Sequence, residues 1–501
     1  MVLTLSIFLP LAGAVLVMVL PARDERVLRY TAAGIAAVPL ALLSAVWLRF
    51  EGTGGFEMVE AARWIPTLGV GYVVGVDGIS LPLAAMAALL FVVSILYPVD
   101  LRGRPRTYFA LFLFLECISL GVFLALDLFL FYVFWDLSLV GMYFLIGGWG
   151  HGEGARRAAL KFFLYTLAAS LAMLLAILGL YLAAEPRTFD MAELIRQQPL
   201  PAGGLLPTLV FFGFAVAFTV KAPLAPFHTW LPPAHVEAPA PASAILAGVL
   251  LKMGTYGFVR ILLQMMPATF QRFAFPIAIL AVVSIVYGAL VALAQGNLKR
   301  RIAYTSVNHM GYTVLGIAVA AALLDGNEAA RALALTGATV EMVAHGLITG
   351  ALFLLSGSVW MRAATYEIDE FGGLASRGPA FTFFTAVAAF GSLGLPGLAG
   401  FIAEFQIFVG TFAIYPWLAA IALLGILITA ALFLHMLQRM FLGELPVRWD
   451  AWRDLSAVEI GAVGALLVFV VVIGVAPAWL LDVIDSAAGA IVGRTTVGGP
   501  G

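Results

Sequence analysis

The stretch FTVKAPLAPFHTWLP, residues 218–232, sets Lys221, three prolines and His228 among neighbours that are almost entirely apolar. A proline inside a helix removes a backbone donor and clashes with the preceding turn, so the helix breaks here. Whether that break is ordinary depends on the surroundings. Of the 501 residues, 63% are apolar and 11% charged, and the mean hydropathy is +1.04, far outside the composition of soluble globular domains. The chain therefore reads as a polytopic membrane protein, and in lipid an unwound backbone is tolerated only where it is buried in protein or lines a wet cavity. A cation beside such a break is costly and marks function.

A crossing helix needs about 20 apolar residues. Segments of that kind have approximate cores at 2–20, 29–48, 77–97, 108–126, 127–148, 159–183, 205–228, 239–263, 273–294, 301–323, 333–358, 380–411, 417–440 and 456–480. The predicted fold is all-α, a polytopic membrane protein of about 14 transmembrane helices. Basic residues such as Arg102, Arg104, Arg106, Lys299, Arg300, Arg301, Arg439 and Arg448 collect on alternate loops, which predicts an N-terminus outside the cell. The first apolar segment has no basic leader or small-residue cleavage site and reads as a retained helix.

The formal net charge of −1 gives no nucleic-acid footprint. The single cysteine, Cys117, excludes a disulfide framework and a cysteine-ligated iron–sulfur cluster within this chain. Neither a dinucleotide-binding glycine motif nor a Walker sequence occurs, so no cofactor is expected here and any electrons travel in another subunit.

Few ionisable residues lie at membrane depth: Glu116, Asp136, Lys221, Lys252, His309, Glu341, His345, Glu404 and His435. Asp136 follows Asp127, which marks an interface, by nine residues, placing it about 13 Å deep. A carboxylate there needs a cation to stay ionised, so a pair with Lys221 or Lys252 is expected, either as a switchable element or as a static pair fixing register. Burial drives a lysine towards neutrality, which makes Lys252, in ILAGVLLKMGTYGF, a candidate relay. Glu341 and His345 are one turn apart on one helical face and could exchange a proton; His309 has polar company in Ser306 and Asn308. The alternative for each histidine is a hydrogen-bonded packing role. No His or Cys triad has metal-ligand spacing.

The break at 218–232 has a counterpart in LGLPGLAGFIAEF, with Pro396, Gly397 and Gly400 ahead of Glu404. Five predicted spans separate the two. This suits two inverted five-helix repeats at 108–263 and 273–440, with helices 7 and 12 broken, flanked by N-terminal helices in 1–107 and a last helix and tail in 441–501. Two unrelated proline kinks are the alternative.

Four blocks, LALDLFLFYVFWDLSLVGMYFLIGGWG, FTVKAPLAPFHTWLPPAHVEAPAPASAILAGVLLKMGTYG, KRRIAYTSVNHMGYTVLGI and GLPGLAGFIAEFQIFVGTF, carry a resemblance over nearly the whole chain. The sequence resembles the antiporter-like proton-pumping subunits of respiratory complex I, NADH–quinone oxidoreductase, and is most similar to their M type, or chain 4. The resemblance implies a non-redox subunit of a proton-translocating membrane enzyme in a bacterial inner (plasma) membrane. Its partners would be other membrane-arm subunits, including the L and N types, with the lipid bilayer and protons, and no nucleic acid. NADH, FMN, iron–sulfur clusters and quinone would belong to those partner subunits. By the same resemblance Asp136 and Lys221 form a modulating pair, Lys252 is the central relay, Glu404 is the terminal group, and His309 and His345 belong to the hydrated axis; since the family usually has glutamate where this chain has Asp136, Glu116 one span earlier is a candidate to share its role. His228 and His235 match family histidines near the cytoplasmic side. Two departures stand out: the family usually has glutamate at the position of Asp136, and aspartate at the position of Pro233. The related reading is a subunit of a multisubunit cation/proton antiporter or of a hydrogenase-linked ion pump, where a similar relay works with a different driving reaction.

Overall fold

The computed structural model describes residues 1–21, 24–322 and 327–497; the last residues of the predicted tail, 498–501, lie outside it. In chain order the elements are α1 (Val2–Val19), α2 (Glu25–Trp47), a hairpin of β1 (Glu57–Ile65) and β2 (Val70–Val76), α3 (Ser80–Leu96), α4 (Pro105–Leu124), α5 (Leu128–Trp149) and α6 (Ala155–Ala183). The short α7 (Met191–Gln197) leads to α8 (Leu205–Lys221) and α9 (Leu231–Glu237). Next, α10 (Ala240–Ile245) and α11 (Leu251–Gly257) are joined by a π turn at Leu246–Leu250, and a second π turn at Phe258–Leu263 extends them into one rod. The remainder is α12 (Pro267–Leu293), α13 (Leu298–Ala321), α14 (Glu328–Ala363), α15 (Pro379–Ser392), α16 (Ala399–Ile414), α17 (Pro416–Phe441), α18 (Ala457–Val475) and α19 (Ala478–Val497).

Helix starts follow local chemistry. Asp127, Asn297 and Ser456 each accept a backbone N–H of the first turn, while Pro105, Pro267, Pro379 and Pro416 open helices where no donor is lost. Among the described residues, ten helices are long and apolar enough to cross a membrane, with four shorter apolar ones at α3, α8, α15 and α16. The predicted segment 301–323 also forms a helix, α13, but one made polar by Lys299, Arg300, Arg301, Asn308 and His309. In the rod 240–263 and in α14 the apolar window is completely buried, against a third or so in α1, α2, α17 and α18. The rod and α14 thus form the centre, and the others face lipid.

Both predicted breaks are present. After Lys221 the chain leaves the helix, and Trp230 Nε1 donates to Val220 O at 3.0 Å while Ala225 N donates to Ser284 Oγ at 3.0 Å, so freed backbone groups are satisfied within the protein. The predicted segment 380–411 is two half-length helices. α15 stops at Ser392, and Gly394 (φ +74°) and Gly397 (φ +92°) turn the chain into α16 through left-handed backbone that glycine adopts freely.

Two elements went unanticipated in the sequence. The hairpin lies on the face carrying the N-terminus, where Glu60 accepts from the backbone of Leu3 (2.9 Å) and Thr4 (3.0 Å), and Gly71 N donates to Asp127 (2.9 Å). The C-terminal helix α19 crosses the same face: Thr336 donates to Asp485 at 2.5 Å, and a Cβ on Gly78 would lie 2.0 Å from Val483 O. The opposite face is basic, with Arg102 donating to Gly150 O, Arg362 paired with Glu459 at 2.8 Å and Arg377 paired with Asp450.

At the second break a Cβ on Gly400 would stand 2.1 Å from Gly391 O, so α16 meets α15 backbone to backbone. Gly400→Ala should cost about 1–3 kcal/mol through overpacking. It should lower the melting temperature of the purified membrane protein, whereas Gly461→Ala, with open space around it, should not. Equal melting of the two variants would contradict this packing.

Candidate functional site

The rod and α14 meet at the middle of the bundle. Lys252, on α11 between the two π turns, is fully buried. Its Nζ donates to Ala247 O, five residues back, at 2.6 Å, and contacts His345 Nδ1 on α14 at 2.6 Å. With the ammonium donating, Nδ1 accepts and the hydrogen of His345 sits on Nε2, which has no hydrogen-bond partner.

The His345 and His309 rings lie 5.3 Å apart, tilted by 51°. His309, on α13, uses both nitrogens: Nδ1 lies 3.0 Å from Glu341 Oε1, and Nε2 lies 3.0 Å from Ser392 Oγ at the end of α15. Glu404, on α16, places Oε1 3.9 Å from His309 Nδ1. A Cβ at Gly394 would lie 2.2 Å from Glu404 Oε2, so the break of α15–α16 makes room for the carboxylate. Lys252, His345, His309, Glu341 and Glu404 thus form one buried polar series running sideways through the bundle. Lys252 with His345, and His309 with Glu341, are in hydrogen-bond contact and are pairs of a kind that can share a proton.

The geometry differs from the sequence expectation in two places. Glu341 contacts His309, not His345 one turn along its own helix, because α13 packs across that face of α14. Asp136 and Lys221 do not form the expected ion pair. Lys221 Nζ, buried at the end of α8, donates to Ser138 Oγ at 3.0 Å and lies over the Trp135 ring at 5.1 Å. Asp136 is half-buried and hydrogen-bonds with Tyr132, a turn earlier. The side chain one methylene shorter than glutamate leaves the carboxylate against its own helix.

Other expected residues stand apart. Glu116 on α4 is buried with neither oxygen hydrogen-bonded. His228 sits beside the rings of Tyr287 (5.3 Å) and Tyr304 (5.7 Å). His435 is half-buried and lies 3.5 Å from Arg301 Nη1. His235 stacks on Phe353 at 4.4 Å and has both ring nitrogens free.

Sequence reasoning missed Ser138 and Ser392, whose hydroxyls serve Lys221 and His309, since an apolar helix gives no sign of which serine faces inward. It also missed a buried pair at the end of the rod, Arg260 to Asp77 at 2.7 Å, with Arg260 Nε donating to Tyr256 Oη at 3.0 Å.

Residues 125–429 match the family described as NADH:quinone oxidoreductase/Mrp antiporter, TM. A chain 4 of NAD(P)H-quinone oxidoreductase from Trichodesmium erythraeum is 41% identical over 89% of this chain and 79% of its own length. Subunit M of the F(420)H(2) dehydrogenase of Methanosarcina mazei is 39% identical over 90% of each chain. Among solved structures, a chain of respiratory complex I from Thermus thermophilus superposes with a TM-score of 0.86 at 32% identity, covering 98% of this chain and 99% of that one.

Ser392→Ala should remove one hydrogen bond from His309 and cost about 1 kcal/mol. Ser392→Thr should restore it. Thermal unfolding of both variants checks this, and equal loss in the two would show that the hydroxyl does not hold His309.

Proposed function

The chain belongs to the NADH:quinone oxidoreductase/Mrp antiporter membrane family, as an antiporter-like subunit of the chain 4 or M type, and from that premise we propose that it translocates protons. The reading is a non-redox subunit of a proton-translocating NADH–quinone oxidoreductase. Its partners are other membrane-arm subunits, and the redox cofactors and quinone belong to those partners. One observation carries it: the closely spaced buried series Lys252, His345, His309, Glu404, with Glu341 and Ser392 on its flanks. A static ion network would pair opposite charges, but here Lys252 meets a neutral acceptor, an arrangement suited to passing a proton on.

In this mechanism Lys252 Nζ gives a proton to His345 Nδ1, and the proton on Nε2 leaves towards His309. From there it passes to Glu341 or Glu404. Lys221, held by Ser138 and Trp135, lies on α8, which α11 meets at Gly254 and Gly257 with no room for a Cβ. A shift of Lys221 towards Asp136 or away from it would change the charge felt by Lys252. Redox work elsewhere in the complex would drive that shift, since moving one charge across 100 mV costs about 2.3 kcal/mol. The segments 108–263 and 273–440 are read as two inverted repeats with Lys221 and Glu404 at their breaks, flanked by 1–107 and 441–501. The basic face opposite the N-terminus supports an N-terminus outside a bacterial plasma membrane.

Lys252→Ala in the assembled complex is expected to abolish this subunit's share of proton translocation while electron transfer and subunit composition persist. Unchanged proton uptake in vesicles containing the assembled variant would sink the assignment.

A further inference from the structure

The relay needs an entrance, and the face opposite the N-terminus contains a group of side chains that the mechanism has not used. Lys299, in the first turn of α13, is completely buried although it sits next to a loop. Its Nζ donates to Ala238 O at 2.5 Å and lies over the Tyr366 ring at 5.1 Å. Ala238 ends α9, the short helix that also carries His235 and Glu237. Among the described residues no carboxylate contacts the ammonium; Glu237 is the acidic group that acts on it through space.

Glu237 is half-buried at the loop between α5 and α6, where it accepts from Gly152 N at 2.9 Å. On the inner side of Lys299, His235 is fully buried with two free nitrogens, and the charges of Lys299 and Lys252 both reach it. Its ring stacks on Phe353 of α14, eight residues and so about 12 Å along the helix from His345. Glu237, Lys299, His235 and Lys252 therefore form a second series that leads inwards from the loops.

A column of rings lies beside it. His151 meets Trp360 at 4.6 Å, tilted by 31°, Trp360 stacks on Tyr366 (4.9 Å), and Lys299 caps that column. Burial first, then the charges of Lys299 and Arg102, pushes the His151 imidazole down to about 3. His151 thus stays neutral at the loop end of this column. The titratable route runs through Lys299.

We propose that Lys299 is the group through which protons from the face opposite the N-terminus enter the relay, passing by way of His235 to Lys252. The inference rests on the reading of this chain as a proton translocator. The Lys299 ammonium gives one proton to a ring nitrogen of His235, through water, and becomes an amine. The His235 imidazolium passes its proton on to neutral Lys252. The Lys299 amine then takes up a proton from the aqueous phase on the Glu237 side, which restores the starting state.

Arginine decides between transfer and structure. It keeps the charge, can donate to Ala238 O and stacks on Tyr366, but it does not release its proton. In the whole complex reconstituted into vesicles, Lys299→Met and Lys299→Arg should each lower protons moved per electron by the same fraction as Lys252→Ala. Pumping at the normal level in Lys299→Arg, with Lys252→Ala defective, would overturn the entrance alone. A harmless Lys252→Ala would instead overturn the translocator reading and the entrance with it. Should Lys299→Arg fail to assemble, Glu237→Gln provides the test: slower proton uptake during a single turnover supports the route, and a normal rate refutes it.

Discussion

The constraint on which the structure depends is that a polar group at membrane depth must find its partner inside the protein. The rod 240–263 and the apolar stretch of α14, both completely buried, meet this demand by taking the centre of the bundle and leaving lipid contact to α1, α2, α17 and α18. Their meeting places Lys252 against His345. The π turns on either side of Lys252 belong to the same solution. Extra residues in those turns widen the rod locally, and such turns recur at functional sites.

Broken helices serve the same demand. Unwinding at 222–230 frees backbone groups, and Trp230 and Ser284 take up two of them. Unwinding at 393–398 gives Glu404 a seat that any side chain at position 394 would fill. Each break therefore places a charge by removing helix from beside it. The cost of lost helical hydrogen bonds is offset by a site that a continuous helix would exclude sterically.

Much of this was legible in the sequence because lipid makes the rules few. A run of about 20 apolar residues has little choice but to cross, and a proline with a charge beside it stands out against such a background. Lys221, Lys252, His309, His345 and Glu404 were all visible for that reason. The hairpin at 57–76 was not, since its strands alternate weakly and lie outside the apolar runs. Nor was α19, whose apolar stripe packs on the bundle's end and lacks the length of a buried span's hydrophobic run. Partner choice was harder still. Periodicity put Glu341 and His345 on one face, yet which of them meets His309 depends on where α13 crosses α14, and nothing local encodes that.

The Asp136 carboxylate shows how a single methylene can matter at depth. A direct pair with Lys221 would hold both charges in a fixed minimum, and buried pairs of that kind resist disruption once made. Here Lys221 is held by a hydroxyl and an aromatic face, both weaker partners than a carboxylate. Asp136 rests on Tyr132. Neither group hydrogen-bonds the other, so the proposed make-and-release of the pair would need only a displacement of α8 against α5. In the proposed cycle this pair would have to switch each time, and weak partners would keep the free energy needed to toggle it within reach of the driving reaction.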